Sequence, residues 1–184
     1  MYEISKLTQS DCLRSFVCGI EDVDNTIRNL LPTCINNNEV DAYVVTSEGE
    51  IIAIFALRDS FIELDQTDIH EELQDFSEIV DDGRRERYPA LDLSLLAVSK
   101  NHQRRGIGRL IIDTLIENHS RFGSADNVFL FVDAFYVVGG SYSSIEFYQK
   151  CNFSNTWQNV KIDTYRMFKG IRPYTEHLSE NIAE

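Results

Sequence analysis

The spacing of apolar residues divides the N-terminal part of the chain into two helical stretches and a pair of strands. Apolar positions three to four residues apart predict helices over Thr8 to Phe16 and Asp22 to Leu31, the second ending near Pro32. Two β-type runs follow, Ala42 to Thr46 and Ile51 to Leu57, and a glycine-containing turn joins them. This part of the sequence therefore predicts a helical flank followed by an antiparallel hairpin.

Strongly apolar runs alternate with amphipathic stretches in the rest of the chain. The apolar runs predict strands over Leu91 to Val98, Val128 to Ala134 and Val160 to Phe168. The amphipathic stretches predict helices over Ile107 to Ile116 and Ser143 to Cys151. This alternation of strands and helices predicts an α/β domain.

An acidic segment interrupts this pattern. Ten acidic residues lie between positions 63 and 86, where apolar residues at helical spacing predict an amphipathic insertion over about residues 62–88. The formal net charge of the chain is -13, which would repel a phosphate backbone. The charge therefore argues against binding to nucleic acid.

Length and composition indicate a globular protein with one core. The 184 residues can bury a core without disulfides or metal, and we expect a single domain over residues 1–170 and a polar tail over 171–184. No stretch approaches the roughly 20 apolar residues of a membrane span, and the N-terminus lacks the pattern of a secretory signal. The four cysteines and four histidines lack zinc-ligand spacing. We therefore expect a cytoplasmic protein with reduced thiols, no metal and no membrane contact.

The segment from Gln103 to Gly108 is the strongest candidate for a binding site. It follows an apolar strand directly, and Gly106 and Gly108 allow backbone N–H groups to converge on an anion. The helix that begins there adds the positive end of its dipole. The glycine spacing fits neither the nucleoside-triphosphate loop nor the dinucleotide fingerprint, so the loop predicts a phosphate site of another kind.

Residues Leu95 to Leu110 resemble the signature of the GCN5-related N-acetyltransferases (GNAT), in which an apolar strand, Q/R-x-x-G-x-G/A and a helix follow one another. The resemblance implies a mixed central sheet with an N-terminal antiparallel hairpin, splayed central strands and helices on both faces. It also implies that acetyl-coenzyme A (acetyl-CoA) is the acetyl donor. In the family, the strand pairs with the pantetheine of the cofactor and the loop binds its pyrophosphate. The matching strand residues here are Leu96, Ala97 and Val98, and the matching loop residues are Arg104, Arg105, Gly106, Ile107, Gly108 and Arg109.

A second segment, Glu146 to Phe153, is similar to the family helix that ends in F-Y-x-x-x-G-F. Asn152 stands at the position of the glycine, and asparagine is the next most tolerant residue in the left-handed conformation that ends a helix. The resemblance implies that Tyr148 donates a proton to the coenzyme A sulfur.

In this family the amine attacks the thioester directly, so the resemblance implies no covalent intermediate. The backbone N–H of Val98 or its neighbour would polarise the thioester carbonyl. Asp92, near the position of a glutamate base in some histone-type members, is a candidate general base, with Ser94 on the same face of the strand. Asp133, on the neighbouring predicted strand, is a rival.

Three functions remain open. The first is an N-acetyltransferase for a primary amine of a small molecule or peptide. The segment Phe16 to Asp24 is similar to the F-x-C-G-x-x-x-L-D start of acetyltransferase toxins, which would imply acetylation of aminoacyl-tRNA and an antitoxin partner. The acidic charge argues against this second function.

The third possible function is that of a non-catalytic acetyl-CoA-binding module. The presence of Tyr148 argues against it. The sequence leaves open a homodimer.

Overall fold

The computed structural model describes residues 2–8, 10–65, 68, 85–137, 142–156 and 163–171. The helix predicted within the acidic segment, and the predicted polar tail apart from its first residue, Ile171, lie outside these residues. The flanks of the predicted acidic insertion are strand rather than helix, because residues 62–65 and 85–88 extend two long strands.

The described residues form seven strands, hydrogen-bonded in the order β1-β2-β3-β4-β5-β7-β6. β4 and β5 are parallel and the other pairs with a described register are antiparallel, so the sheet is mixed, as predicted. The strands are β1 (Glu3–Lys6), β2 (Asp41–Ser47), β3 (Glu50–Asp65), β4 (Arg85–Val98), β5 (Phe129–Phe135), β6 (Ser154–Asn155) and β7 (Thr164–Gly170).

The helices lie between these strands. A 3-10 helix at Ser10–Ser15 replaces the longer helix predicted over Thr8 to Phe16, and another 3-10 turn covers Lys100–His102. The α-helices are α1 (Glu21–Asn25), α2 (Leu31–Asn36), α3 (Ile107–Glu117), α4 (His119–Phe122) and α5 (Ile145–Lys150).

The sequence predicted that the helical segment after Glu21 ends near Pro32, and this prediction is wrong. It continues from α1 through a π-helical turn at Thr26–Leu30 into α2, where Pro32 lies in the first turn. Proline has no N–H to donate to the carbonyl four residues back, and its ring crowds that carbonyl. The N–H of Leu31 bonds instead to the oxygen of Thr26, five residues back, so the wider turn accommodates the proline.

Contacts within the chain define two compact units. The first comprises Met1–Arg58 and Leu93–Leu115. In this unit β2 pairs with β1 and with the first part of β3. The ring of Tyr43 on β2 stacks on that of its pairing partner Phe55 on β3, with the ring centroids 5.1 Å apart. Its core joins apolar side chains of the helical flank to those of the hairpin and of β4: Leu7, Leu13, Phe16, Cys18, Ile27, Leu31, Ala42, Val44, Ile54, Ala56 and Ala97.

The second unit comprises Asp59–Asp92 and Ile116–Glu184. In it β7 pairs with β5 and β6, and β4 pairs with β5 over Ala90–Asp92. Phe129 is fully buried in its core, where its ring makes edge-to-face contacts with Tyr88 and Phe168 at centroid distances of 5.5 and 5.6 Å. Each unit therefore buries an apolar cluster of its own.

Candidate active site

The predicted strand, glycine loop and helix follow one another in the first unit without interruption. β4 ends at Val98, the 3-10 turn follows, and α3 begins at Ile107. The N–H of Ser99 bonds to the oxygen of Ile52 at 2.8 Å, which fixes the end of β4 against β3. The position of the loop relative to these two strands is therefore set by backbone hydrogen bonds.

The loop backbone adopts left-handed conformations at two positions. Arg104 has φ 62° and Gly106 has φ 80°. The φ of Gly106 lies in the region that favours glycine. Apart from its chain neighbours, no atom of the described residues would lie within 4 Å of a Cβ at this position, so the described part of the chain leaves the space beside Gly106 open. Alternating backbone conformations of this kind point successive N–H groups into one concavity.

The start of α3 supplies further donors to this loop. Its first hydrogen bond runs from the N–H of Leu110 to the oxygen of Gly106, at 2.9 Å. The amides of Ile107, Gly108 and Arg109 therefore precede the intrahelical ladder, at the positive end of an eleven-residue helix. This is the arrangement that binds phosphate groups at helix N-termini.

The arginines give the loop a positive charge in an acidic protein. Arg104 and Arg105 are exposed. Arg109 is also exposed but lies within 3.3 Å of both carboxylate oxygens of Asp113, one turn further along α3. An exposed pair of this kind contributes little stability and can exchange partners readily.

Gln103 has a role that the sequence analysis missed. Its Nε2 donates to the oxygen of Val98 at 3.0 Å and to the oxygen of Cys18 at 2.7 Å. The side chain therefore ties the first residue of the loop both to the end of β4 and to the N-terminal segment. The glutamine of the signature was visible in the sequence, but its partner Cys18 lies 85 residues away.

Tyr148 lies on α5, in the second unit. It is 5% exposed, and its ring makes edge contacts with Phe147 and Phe153 at centroid distances of 5.0 and 5.4 Å. Burial raises its pKa far above the ordinary value, and the neighbouring Tyr142 and Cys151 add to the effect. The hydroxyl therefore carries its proton at neutral pH, but the raised pKa makes it a weaker acid than an exposed tyrosine.

The end of α5 confirms the prediction for Asn152. Its φ is 61°, the left-handed conformation expected where the family has glycine. The N–H of Asn152 bonds to the oxygen of Gln149 at 2.9 Å, and the N–H of Phe153 bonds to the oxygen of Tyr148 at 3.1 Å. Asparagine thus ends the helix as the glycine would, and brings Phe153 back onto Tyr148.

The two candidate bases have different surroundings. Asp92 is 5% exposed on β4, where it pairs in register with Phe131. Asp133, on β5, accepts two hydrogen bonds from Arg166, at 2.8 and 3.0 Å, and the guanidinium lies 4.9 Å from the ring centre of Phe131. Both carboxylate oxygens of Asp133 are therefore engaged by the guanidinium, and this arrangement favours a structural role.

Two general features bear on the class of protein. Among the described residues, no group of three or more histidine, cysteine, aspartate or glutamate side chains is arranged to hold a metal ion. None of the described helices is long and apolar enough to cross a membrane.

Several solved structures share this fold. A Tyr-to-Phe variant of the toxin AtaT is 19% identical over 92% of this chain and 89% of its own, with a TM-score of 0.66. A Tyr-to-Phe variant of KacT is 15% identical over 98% of both chains, with a TM-score of 0.64. The AtaT variant bound to the C-terminus of the antitoxin AtaR and acetyl-CoA is 17% identical over 100% of this chain and 99% of its own, with a TM-score of 0.58.

Sequence comparison identifies the family. No curated protein sequence matches the chain significantly. The family profile described as "Acetyltransferase (GNAT) domain", however, matches residues 38–155, which is more than half of the chain. This range contains the loop, α3 and Tyr148, and the mixed sheet agrees with the fold that the resemblance implied. The chain therefore belongs to the GNAT family of acetyl-CoA-dependent acetyltransferases.

Proposed function

We propose that this acetyltransferase transfers the acetyl group of acetyl-CoA to a primary amine of a small molecule or peptide by direct attack. One observation carries the proposal. The left-handed backbone at Arg104 and at the exposed Gly106 leads directly into the N-terminus of α3, whose first amides lie outside the helical hydrogen-bond ladder. A pyrophosphate is the ligand that these amides and the neighbouring arginines fit best.

In this proposal the donor lies along the strand–loop–helix segment. The loop amides from Arg104 to Arg109 bind the pyrophosphate, and the backbone of Leu96, Ala97 and Val98 pairs with the pantetheine. Arg104 and Arg105 are exposed and add local positive charge to a chain whose formal net charge is -13. The oxygen of Val98 already accepts a hydrogen bond from Gln103, so this end of the strand is held rigidly before the donor binds.

Three groups have chemical roles. The N–H of Val98 or its neighbour donates to the thioester oxygen, where negative charge develops as the amine nitrogen bonds to the acetyl carbon. Asp92 takes the proton that the amine loses, directly or through water. Tyr148 gives its proton to the sulfur as the carbon–sulfur bond breaks, so the products are an amide and a neutral thiol.

The cysteines support direct attack over a covalent intermediate. Cys18 is buried, and burial raises the pKa of its thiol to about 11. Burial also raises the pKa of Cys34, and Cys151 is buried. Since the thiolate is the nucleophile, none of the three cysteines whose side chains the structure describes is suited to carry an acetyl group at neutral pH.

A toxin is the second candidate function. Structures described as toxins share the fold over nearly the whole chain, and one of them holds an antitoxin segment together with acetyl-CoA. The N-terminal segment Phe16 to Asp24 adds a likeness in sequence. The acceptor would then be the amino acid on a charged tRNA, and the partner an antitoxin. The net charge of -13 opposes this function, because tRNA must be held through its phosphates.

The donor site is tested by the substitution Gly106→Asp. A side chain at this left-handed position is strained, and its carboxylate enters the proposed anion site, so calorimetry should show that acetyl-CoA binding is lost. Gly49→Asp is the matched control, because Gly49 has φ 82° and equally open surroundings but lies in the β2–β3 turn. The control should lose similar stability and keep its affinity for acetyl-CoA. Equal affinity of both variants would remove the basis of the donor site.

Tyr148→Phe tests the general acid. The ring packing against Phe147 and Phe153 is retained, so affinity for acetyl-CoA and the melting temperature should change little. Turnover should fall by about 10²–10⁴-fold, the range typical of a lost general acid. Release of the free thiol at saturating substrate measures turnover, and a thermal melt on the same sample measures folding. Turnover at the parental rate would mean that another group protonates the sulfur.

The acceptor class is tested with charged tRNA. If the acceptor is a small molecule or peptide, mobility shifts at physiological salt should show no complex, since an acidic chain neutralises few phosphates. The same protein should meanwhile release thiol from acetyl-CoA when primary amines are supplied. A salt-sensitive complex of micromolar strength, together with acetylation of the attached amino acid, would replace this proposal by the toxin function.

A further inference from the structure

Asp24 is a buried carboxylate without an assigned role. It lies on α1 and is 5% exposed. Its two oxygens accept hydrogen bonds from the backbone N–H groups of Cys18, at 2.7 Å, and Gly19, at 3.2 Å. The guanidinium of Arg28 comes no closer than 3.9 Å. The carboxylate therefore serves chiefly to hold the Cys18–Gly19 turn.

The turn is constrained on its other side as well. Gly19 has φ 88°, and a Cβ at this position would lie 3.3 Å from Cδ of Lys100. The stem of Lys100 thus packs directly on the glycine. Side-chain packing and the Asp24 carboxylate together leave the turn little freedom.

The carbonyl oxygens of Val17 and Cys18, at the start of this turn, accept hydrogen bonds from the segment that precedes the glycine loop. The oxygen of Val17 accepts the N–H of Lys100 at 2.9 Å, and the oxygen of Cys18 accepts Nε2 of Gln103 at 2.7 Å. Lys100 is the first residue of the 3-10 turn between β4 and the loop, and Gln103 follows its last residue. The N-terminal turn therefore supports both ends of this connection.

We propose that Asp24 is a positioning residue for acetyl-CoA binding, acting through the Cys18–Gly19 turn and Gln103 on the start of the loop. The inference rests on the proposed donor site. Without the carboxylate, two partly buried N–H groups lose their acceptor and the turn relaxes. The oxygen of Cys18 is then no longer held in place to accept the hydrogen bond from Gln103. The start of the loop consequently becomes less ordered and must be ordered when acetyl-CoA binds. Such ordering weakens binding without altering the reacting groups.

Burial favours the neutral form of Asp24, but the hydrogen bonds from Cys18 and Gly19 outweigh it, so the pKa lies below the ordinary value. The group is therefore ionised at neutral pH, and charged acceptors form the stronger hydrogen bonds. Asparagine at this position keeps one carbonyl oxygen but no charge. Asparagine should consequently weaken acetyl-CoA binding less than alanine does.

The test compares acetyl-CoA dissociation constants by calorimetry. Asp24→Ala should raise the dissociation constant by about 5- to 100-fold, the effect of leaving partly buried donors unpaired, and Asp24→Asn should raise it less. Turnover at saturating acetyl-CoA should remain near the parental value. Asp22→Ala, an exposed neighbour on the same helix, is the control and should bind normally.

A double-variant cycle tests the route through Gln103. Gln103→Met should weaken binding on its own, and in combination with Asp24→Ala the two effects should be less than additive. Additive effects would overturn the route. If Asp24→Ala fails to fold, Asp24→Asn replaces it in the cycle.

The two possible failures are distinguishable. Absence of binding by the parental protein would contradict the proposed donor site itself. Normal binding by the parental protein and by both Asp24 variants would overturn only the positioning role.

Discussion

β4 ends at Val98 and α3 begins at Ile107, so the chain must turn between them. The left-handed backbone at Arg104 and Gly106 forms part of this turn. The proposed donor chemistry depends on this constraint. It places the exposed Gly106 immediately before the first amides of α3, which lie outside the intrahelical hydrogen-bond ladder. The side chain of Gln103 fixes where this turn starts, because it holds the last carbonyl of β4 and a carbonyl of the N-terminal turn.

Local charge matters more here than net charge. The chain carries thirteen more acidic than basic side chains, yet its loop presents Arg104 and Arg105 beside the amides. A polyanion the size of tRNA samples much of the protein surface, whereas a pyrophosphate samples only the loop. The proposed preference for acetyl-CoA over nucleic acid therefore depends on local charge at the loop and on net charge elsewhere.

Features set by neighbouring residues could be predicted from the sequence. The strand–loop–helix segment and the left-handed Asn152 follow from local patterns, and both are confirmed. Strand β1 was missed because Glu3–Lys6 carries one strongly apolar residue and owes its conformation to pairing with β2. The role proposed for Asp24 could not be predicted, because it depends on a hydrogen bond between Cys18 and Gln103, which are 85 residues apart in the sequence.

The most direct test of the account compares acetyl-CoA with S-acetylpantetheine, which has the same thioester but lacks the pyrophosphate and the 3′-phosphoadenosine attached to it, by calorimetry on the parental protein. If the loop amides bind the pyrophosphate, its loss removes several charge-assisted hydrogen bonds. The dissociation constant should then rise on the order of 100-fold or more. Equal dissociation constants for the two donors would contradict the account, because the loop would then contribute nothing to recognition of the donor.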